Sequence, residues 1–384
     1  MARSTPKLGP TTVFSRRRAG NVRAYFEDRG AARYSFYGYG KVACRDGIDV
    51  LLEERPDADN VVLPAYLPYG IVEPFREAGL EPRYYTCDRE LRPDIDGIED
   101  VLDSGTLAVM FVHYFGQPQR RADIDAIRER CREYGAYTID DNAHAPLSTL
   151  DDRLLGTFGD IGITSLRKML PIPNGAALFV TNETLDERAL SRASVRGYTK
   201  ADWRYCARSF GRVLSDQPVF KQALSTVRNG SGASESDRHV HKSDLEEDPR
   251  EIYEMTKVPM SRLALRVIDR TEPMGVIAAR RANYRAWDRA VRDLSNVEPI
   301  FDSLSEGACP QYFPVIVEEP DELGPLAETA KPWPPLPYEI RDADGFGTEN
   351  YLASHLHTLP VHQGLDLTGL EPLSADDPPV VFDD

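Results

Sequence analysis

Between about residues 40 and 180 the chain alternates short apolar runs with helix-length amphipathic segments. That alternation leaves few folds open. NVVLPAY, EPRYYTC, TLAVMFVHYFG and AYTIDD read as strands, each bounded by proline, glycine or acidic turns. GKVACRDGIDVLLEE, YGIVEPFREAG and DIDGIEDVLDSG read as helices between them. RADIDAIRERCREYG places Ile124, Ile127 and Cys131 on one face and stops at Gly135. Strands joined by helices of this length pair in parallel, giving an α/β, doubly wound sheet with helices on both faces. Ligands of such sheets sit at the carboxyl ends of the strands.

The composition narrows the class. A chain of 384 residues can hold two domains. We expect a loose N-terminal arm over 1–30, a large domain over 31–227 and a flexible linker over 228–250. A smaller α+β domain over 251–366 and an acidic, proline-rich tail over 367–384 complete the chain. The arm is basic but lacks an apolar centre, so it does not read as a signal peptide. No run of about 18 apolar residues is present, which argues against a membrane partner. A net charge of −16 argues against nucleic acid. Five scattered cysteines without ligand spacing fit a reducing cytoplasm and no metal. The HxH pairs His239/His241 and His355/His357 lack a third ligand and read as loop or edge histidines. Eight of the 46 basic residues are lysine. Acidity with scarce lysine suggests a halophile, although a GC-rich genome also favours arginine.

Against that scarcity, Lys168 stands out. It lies in ITSLRKMLPIPNGAALFV, between a strand and a Pro/Gly turn. An amine can lose its proton and attack a carbonyl, which a guanidinium cannot. If that carbonyl is the aldehyde of pyridoxal 5'-phosphate, three partners are needed. A carboxylate must face the pyridine nitrogen, and Asp141 at the end of AYTIDD qualifies, with Asp140 as the competing choice. Amides at a helix start must hold the phosphate, and Gly40-Lys41-Val42 offers them, with Ser165 able to add a hydroxyl. Something must cover the ring or its oxygen, and His144, Tyr66 and Tyr69 are within the same strand-end set. His113 reads as structural.

IDDNAHA, GDIGITSLRK and PNGAALFVTN, in that order and spacing, resemble the DegT/DnrJ/StrS sugar aminotransferase family. GKVACRDGI, VVLPAYLPYGIVEPFREAG, AVMFVHYFGQPQ and HTLPVHQGL extend the resemblance over roughly residues 33–365. The family implies fold type I of the pyridoxal-phosphate enzymes and a cytoplasmic homodimer with shared active sites. It implies a Schiff base on Lys168, Asp141 on the ring nitrogen and His144 at the ring oxygen. The amides of Lys41 and Val42, with Ser165, would take the phosphate, and Arg262 would reach across to the partner's phosphate. The implied reaction takes an amino group from an amino acid, commonly glutamate, to a keto acceptor, classically a nucleotide-linked keto-sugar. Some relatives are dehydratases in which histidine replaces the lysine. The chain departs from the pattern at Lys41, where a hydroxyl residue is usual, and at Pro68, where an aromatic is usual. Those departures leave open a non-catalytic cofactor-binding sensor or complex partner.

Overall fold

A computed structural model describes residues 6–9, 21–215, 248–319 and 322–382. Seven strands form the main sheet: β1 Tyr34–Tyr37, β2 Asn60–Pro64, β3 Glu81–Tyr85, β4 Thr106–Val112, β5 Tyr137–Asn142, β6 Ile161–Thr164 and β7 Ala176–Val180. Their order is β1-β7-β6-β5-β4-β2-β3. The pairs from β3 through β6 are parallel, and β7 alone runs against its two neighbours. Every residue of β2 and β4 is buried, as expected of strands covered on both faces. This is the mainly parallel α/β architecture that the strand–helix alternation implies.

The flanking helices follow from spacing and stop signals. Helix α1, Gly40–Glu54, buries Ala43, Cys44, Ile48 and Leu51 along one stripe. Helix α2, Arg121–Tyr134, buries Ile124, Ile127 and Cys131. It ends at Gly135, which adopts the left-handed φ of 65° that glycine tolerates, and whose N–H returns to Arg132 and Cys131. All five cysteines are free and buried.

A second, four-stranded antiparallel sheet has the order β8-β9-β11-β10, from β8 Val297–Pro299, β9 Tyr312–Val317, β10 Lys331–Pro332 and β11 Leu356–Pro360. Helix α3, Pro273–Ala290, leads into it. It starts with proline in its first turn and Glu272 as cap, and buries Trp287, whose indole N–H donates to Pro360 O at 2.9 Å. Residues 260–268 pack with Phe36 and Phe179 of the main sheet and with Leu170 of the loop between β6 and β7, rather than with this smaller unit.

Two segments differ from the expectation of loose ends. In the arm, Val22–Glu27 is helical because Val22, Tyr25 and Phe26 recur at helical spacing and bury together, and Leu8 is buried with its N–H on Ser209 Oγ. In the tail, Leu367 and Leu373 are buried and Phe382 sets its ring edge-on to Trp287, so sparse apolar anchors hold an otherwise polar strip. Most of the expected linker over 228–250, with His239 and His241, lies outside the described residues, as does the basic run of the arm.

Gly38, between β1 and α1, shows how tightly the chain packs beside the site. A Cβ there would sit 2.1 Å from Val258 O. Gly38→Ala must push the Val258–Pro259 backbone away, and we expect a loss of about 3 kcal/mol in a denaturant titration.

Candidate active site

Successive residues of a strand point to opposite faces, and β5 carries two adjacent aspartates just before its last residue, Asn142. Asp140 is wholly buried and faces the α2 side. Its Oδ2 accepts from the N–H groups of Gly156 (2.8 Å) and Phe158 (2.9 Å), and its Oδ1 lies 3.0 Å from His113 Nε2. His113 Nδ1 accepts from Gln119 N–H at 2.9 Å, which assigns the proton to Nε2, toward Asp140. Asp140 and His113 are therefore structural partners. Asp141 faces the other way, toward Lys168 and Cys44. Burial raises its pKa, opposed first by the Lys168 charge and then by the Ala143 N–H, which donates to Oδ1 at 2.8 Å.

Lys168 ends a single 3-10 turn, Leu166–Lys168, immediately after β6 and Ser165. The turn forms because Lys168 N–H returns to Ser165 O (3.1 Å) and Met169 N–H to Leu166 O (3.0 Å). Arg167 N–H donates to Gly175 O at 3.1 Å, closing the loop onto the start of β7. Asn174 fastens that loop to the 259–261 segment: its amide donates to Pro259 O (3.0 Å) and its oxygen accepts from Ser261 N–H (2.9 Å). The Lys168 amine is pushed down to about 8. Burial is the main cause, Asp141 opposes it, and Arg167 and Lys41 add to it.

The third group gathers at the start of α1. Tyr39 occupies the cap position without a side-chain hydrogen bond, so the amides of Gly40, Lys41 and Val42 have no cap. Lys41 is half-buried, its amine lying over Gly70. Its pKa is lowered to about 8 by burial and by Arg167, against a raising pull from Glu73. Lys41, Arg167 and Lys168 thus repel one another around an open helix start. That arrangement is costly alone and favourable around a dianion. Ser165 is buried beside it.

An aromatic wall closes the other side. His144 is buried, its ring stacked on Phe115 at 5.9 Å and edge-on to Trp333 at 5.4 Å. Burial, then the Lys168 charge, pushes its pKa well down, so the ring is neutral. Tyr66 has no exposed surface. It stacks on Trp333 at 5.4 Å and 15°, and its hydroxyl has no hydrogen-bond partner among the described residues. Tyr69 sits further out, with Tyr338 and Arg341. Arg262 is exposed, at the first turn of Arg262–Ile268. The fold therefore gathers Lys168, Asp141, His144, Lys41, Val42, Ser165 and Tyr66 and leaves Tyr69 and Arg262 at the periphery. Trp333, immediately after β10, was missed from sequence. Its only signal was a rare tryptophan within a proline-rich stretch. No cluster of three or more His, Cys, Asp or Glu able to hold a metal occurs among the described residues.

A mainly parallel sheet with a lysine turn at one strand end, a buried aspartate at the next and an uncapped helix start has the architecture of fold type I. Residues 34–214, which carry these elements, match the model of the DegT/DnrJ/EryC1/StrS aminotransferase family. The dTDP-4-dehydro-2,3,6-trideoxy-D-glucose 4-aminotransferase of Saccharopolyspora spinosa is 31% identical over 134 residues, 34% of each chain. The match thus spans about a third of that curated relative. Among solved structures, Helicobacter pylori PseC, an aminotransferase of pseudaminic acid biosynthesis, aligns with a TM-score of 0.62 at 13% identity, covering 91% of this chain and 86% of that one. The Escherichia coli GDP-4-keto-6-deoxy-D-mannose-3-dehydratase aligns with a TM-score of 0.59 at 14% identity, over 91% and 89%.

The two aspartates predict different outcomes. Asp140→Asn sets an amide N–H against either the two backbone amides or His113, and should cost about 2 kcal/mol in thermal unfolding. Asp141→Asn keeps the acceptor for Ala143 and removes a buried charge, so stability should hold or rise while function is lost. The crowded cations give a second test. Inorganic phosphate should raise the melting temperature more at about pH 7, where both lysines keep their protons, than at about pH 9.5.

Proposed function

We propose that this protein is a pyridoxal-phosphate-dependent aminotransferase. It takes an amino group from an amino acid, glutamate in the simplest case, and delivers it to a nucleotide-linked keto-sugar. One observation carries the reading: Lys168, with its amine at about 8, faces a buried aspartate across a strand end. That combination gives the amine a far larger neutral fraction near neutral pH than an ordinary lysine has, together with a fixed countercharge.

The residues present suit the cofactor. Pyridoxal phosphate supplies, when bound, an aldehyde for an amine and a protonated ring that accepts electrons. Asp141 would hold the proton on the ring nitrogen, and the ring's positive charge would in turn keep this carboxylate ionised despite its burial. The amides of Lys41 and Val42, the Lys41 amine and the Ser165 hydroxyl would hold the phosphate, relieving the repulsion among Lys41, Arg167 and Lys168. Neutral His144 would meet the ring oxygen, and Tyr66 and Tyr69 would border the ring. Lys168, once displaced by the donor amine, would remove a proton from the donor α-carbon and return one at the neighbouring carbon. Its lowered pKa suits both directions of transfer.

The acceptor class is supported by the names of the relatives, which include the dTDP-linked sugar aminotransferase above and the GDP-perosamine synthase of Vibrio cholerae. A homodimer completes the reading. Exposed Arg262 would serve the partner's phosphate, and the exposed Val195, Tyr198, Trp203 and Val258 suit contact with a second copy.

The decisive experiment is a visible absorption spectrum of the protein with added pyridoxal phosphate. We expect a band that Lys168→Ala abolishes and that glutamate shifts, with capture of the cofactor rising with pH and levelling above about 8. Turnover should fall about 10²–10⁴-fold in Lys168→Ala. A folded wild-type protein with no band would overturn the proposal.

A further inference from the structure

Arg280, on α3, has no exposed surface. Burial lowers its pKa, and among the described residues no carboxylate pairs with it. Its contacts are instead four neutral oxygens. Nε donates to Gln363 Oε1 at 2.9 Å, and Nη1 to Pro310 O at 3.0 Å and Gln311 O at 3.3 Å. Nη2 donates to Met169 O at 3.1 Å. The side-chain amide of Gln363 donates to the same Met169 O at 3.0 Å. Arg280, Gln363 and the Met169 carbonyl thus form a closed triangle.

A buried guanidinium without a carboxylate is an expensive way to fill space, and an apolar side chain of similar volume would pack there without that desolvation cost. What the apolar side chain lacks is the fork, which binds several carbonyls at fixed angles. The carbonyl it shares with Gln363 is that of Met169, the residue next after Lys168. On the other side, the turn is fixed by its own backbone bonds to Ser165 and Leu166. Gln363 lies just beyond β11 and Arg280 lies on the helix leading to the second sheet, so both reach the turn from the C-terminal half. Gln363 belongs to HTLPVHQGL, a stretch to which the reaction otherwise gives no role.

We propose that Arg280 and Gln363 are positioning residues that set the place of the Lys168 amine by gripping the Met169 carbonyl. Their importance to catalysis rests on the reading of Lys168 as the cofactor-binding lysine, whereas the grip itself does not. Without it, the turn relaxes and the amine moves away from its buried position toward solvent. Of the charged groups facing the amine, Asp141 and Lys41 lie on other elements and remain in place, while Arg167 moves with the turn.

The test is competitive acetylation of the full chain by acetic anhydride across pH, with Lys168 quantified by peptide mass spectrometry. Arg280→Lys keeps the charge but cannot fork, and Gln363→Met keeps length and neutrality but cannot donate. Gln363 is half-exposed, so the second variant should fold even where the first is unstable. In both we expect the Lys168 midpoint to rise from about 8 toward the ordinary lysine range, about 10.4. Capture of pyridoxal phosphate at Lys168, trapped by borohydride near neutral pH, should slow about tenfold or more. Variants that melt earlier yet keep the wild-type midpoint would reduce the pair to packing and overturn the proposal. Failure of the wild type itself to capture pyridoxal phosphate, with the midpoint still moving in the variants, would refute the cofactor reading and leave the grip standing.

Discussion

A strand can offer neighbouring side chains only to opposite sides of its sheet, and this site depends on that rule at Asp140 and Asp141. One aspartate is spent on holding Gly156, Phe158 and His113 on the α2 side. That anchors the strand end, and only then can the next residue hold an incompletely neutralised carboxylate toward Lys168. A slip of one residue in the pairing of β5 with β4 and β6 would exchange the two roles and remove the countercharge from the site.

Electrostatic cost is concentrated where the chemistry is proposed. Lys168 and Lys41 are both held to about 8, Asp141 is raised by burial, and His144 is kept neutral. None of these shifts helps the chain to fold. For the lysines the sign is clear. Below about 8 the folded state holds protons at a penalty, and that penalty is relieved as pH rises toward the ordinary lysine range. Perturbation of this kind, clustered at strand ends and a helix start, is what separates a site from a surface charge network.

Much of this was legible in the sequence because it rests on local pattern. Periodicity gave the strands and helices of the main sheet, and the scarcity of lysine marked Lys168. The choice between Asp140 and Asp141 could not be made locally, since it depends on the register of β5 against both neighbours. Trp333, Arg280 and Gln363 were out of reach for another reason. They approach the lysine turn and His144 from 110 residues or more along the chain, through packing that leaves no periodic trace. The helix Val22–Glu27 was too short, and too close to a basic run, to stand out from an arm. The anchored tail was hidden by its acidic, proline-rich composition.

The buried cysteines acquire a chemical meaning in this setting. Cys44, Cys87, Cys131, Cys206 and Cys309 are all inside, and burial raises each thiol, Cys131 and Cys309 to about 12. A thiolate is the reactive form of cysteine, and none of the five can supply one near neutral pH. An electrophilic aldehyde entering this protein therefore finds amines and no competing sulfur. Burial of the thiols thus leaves the amines as the nucleophiles such a compound would meet.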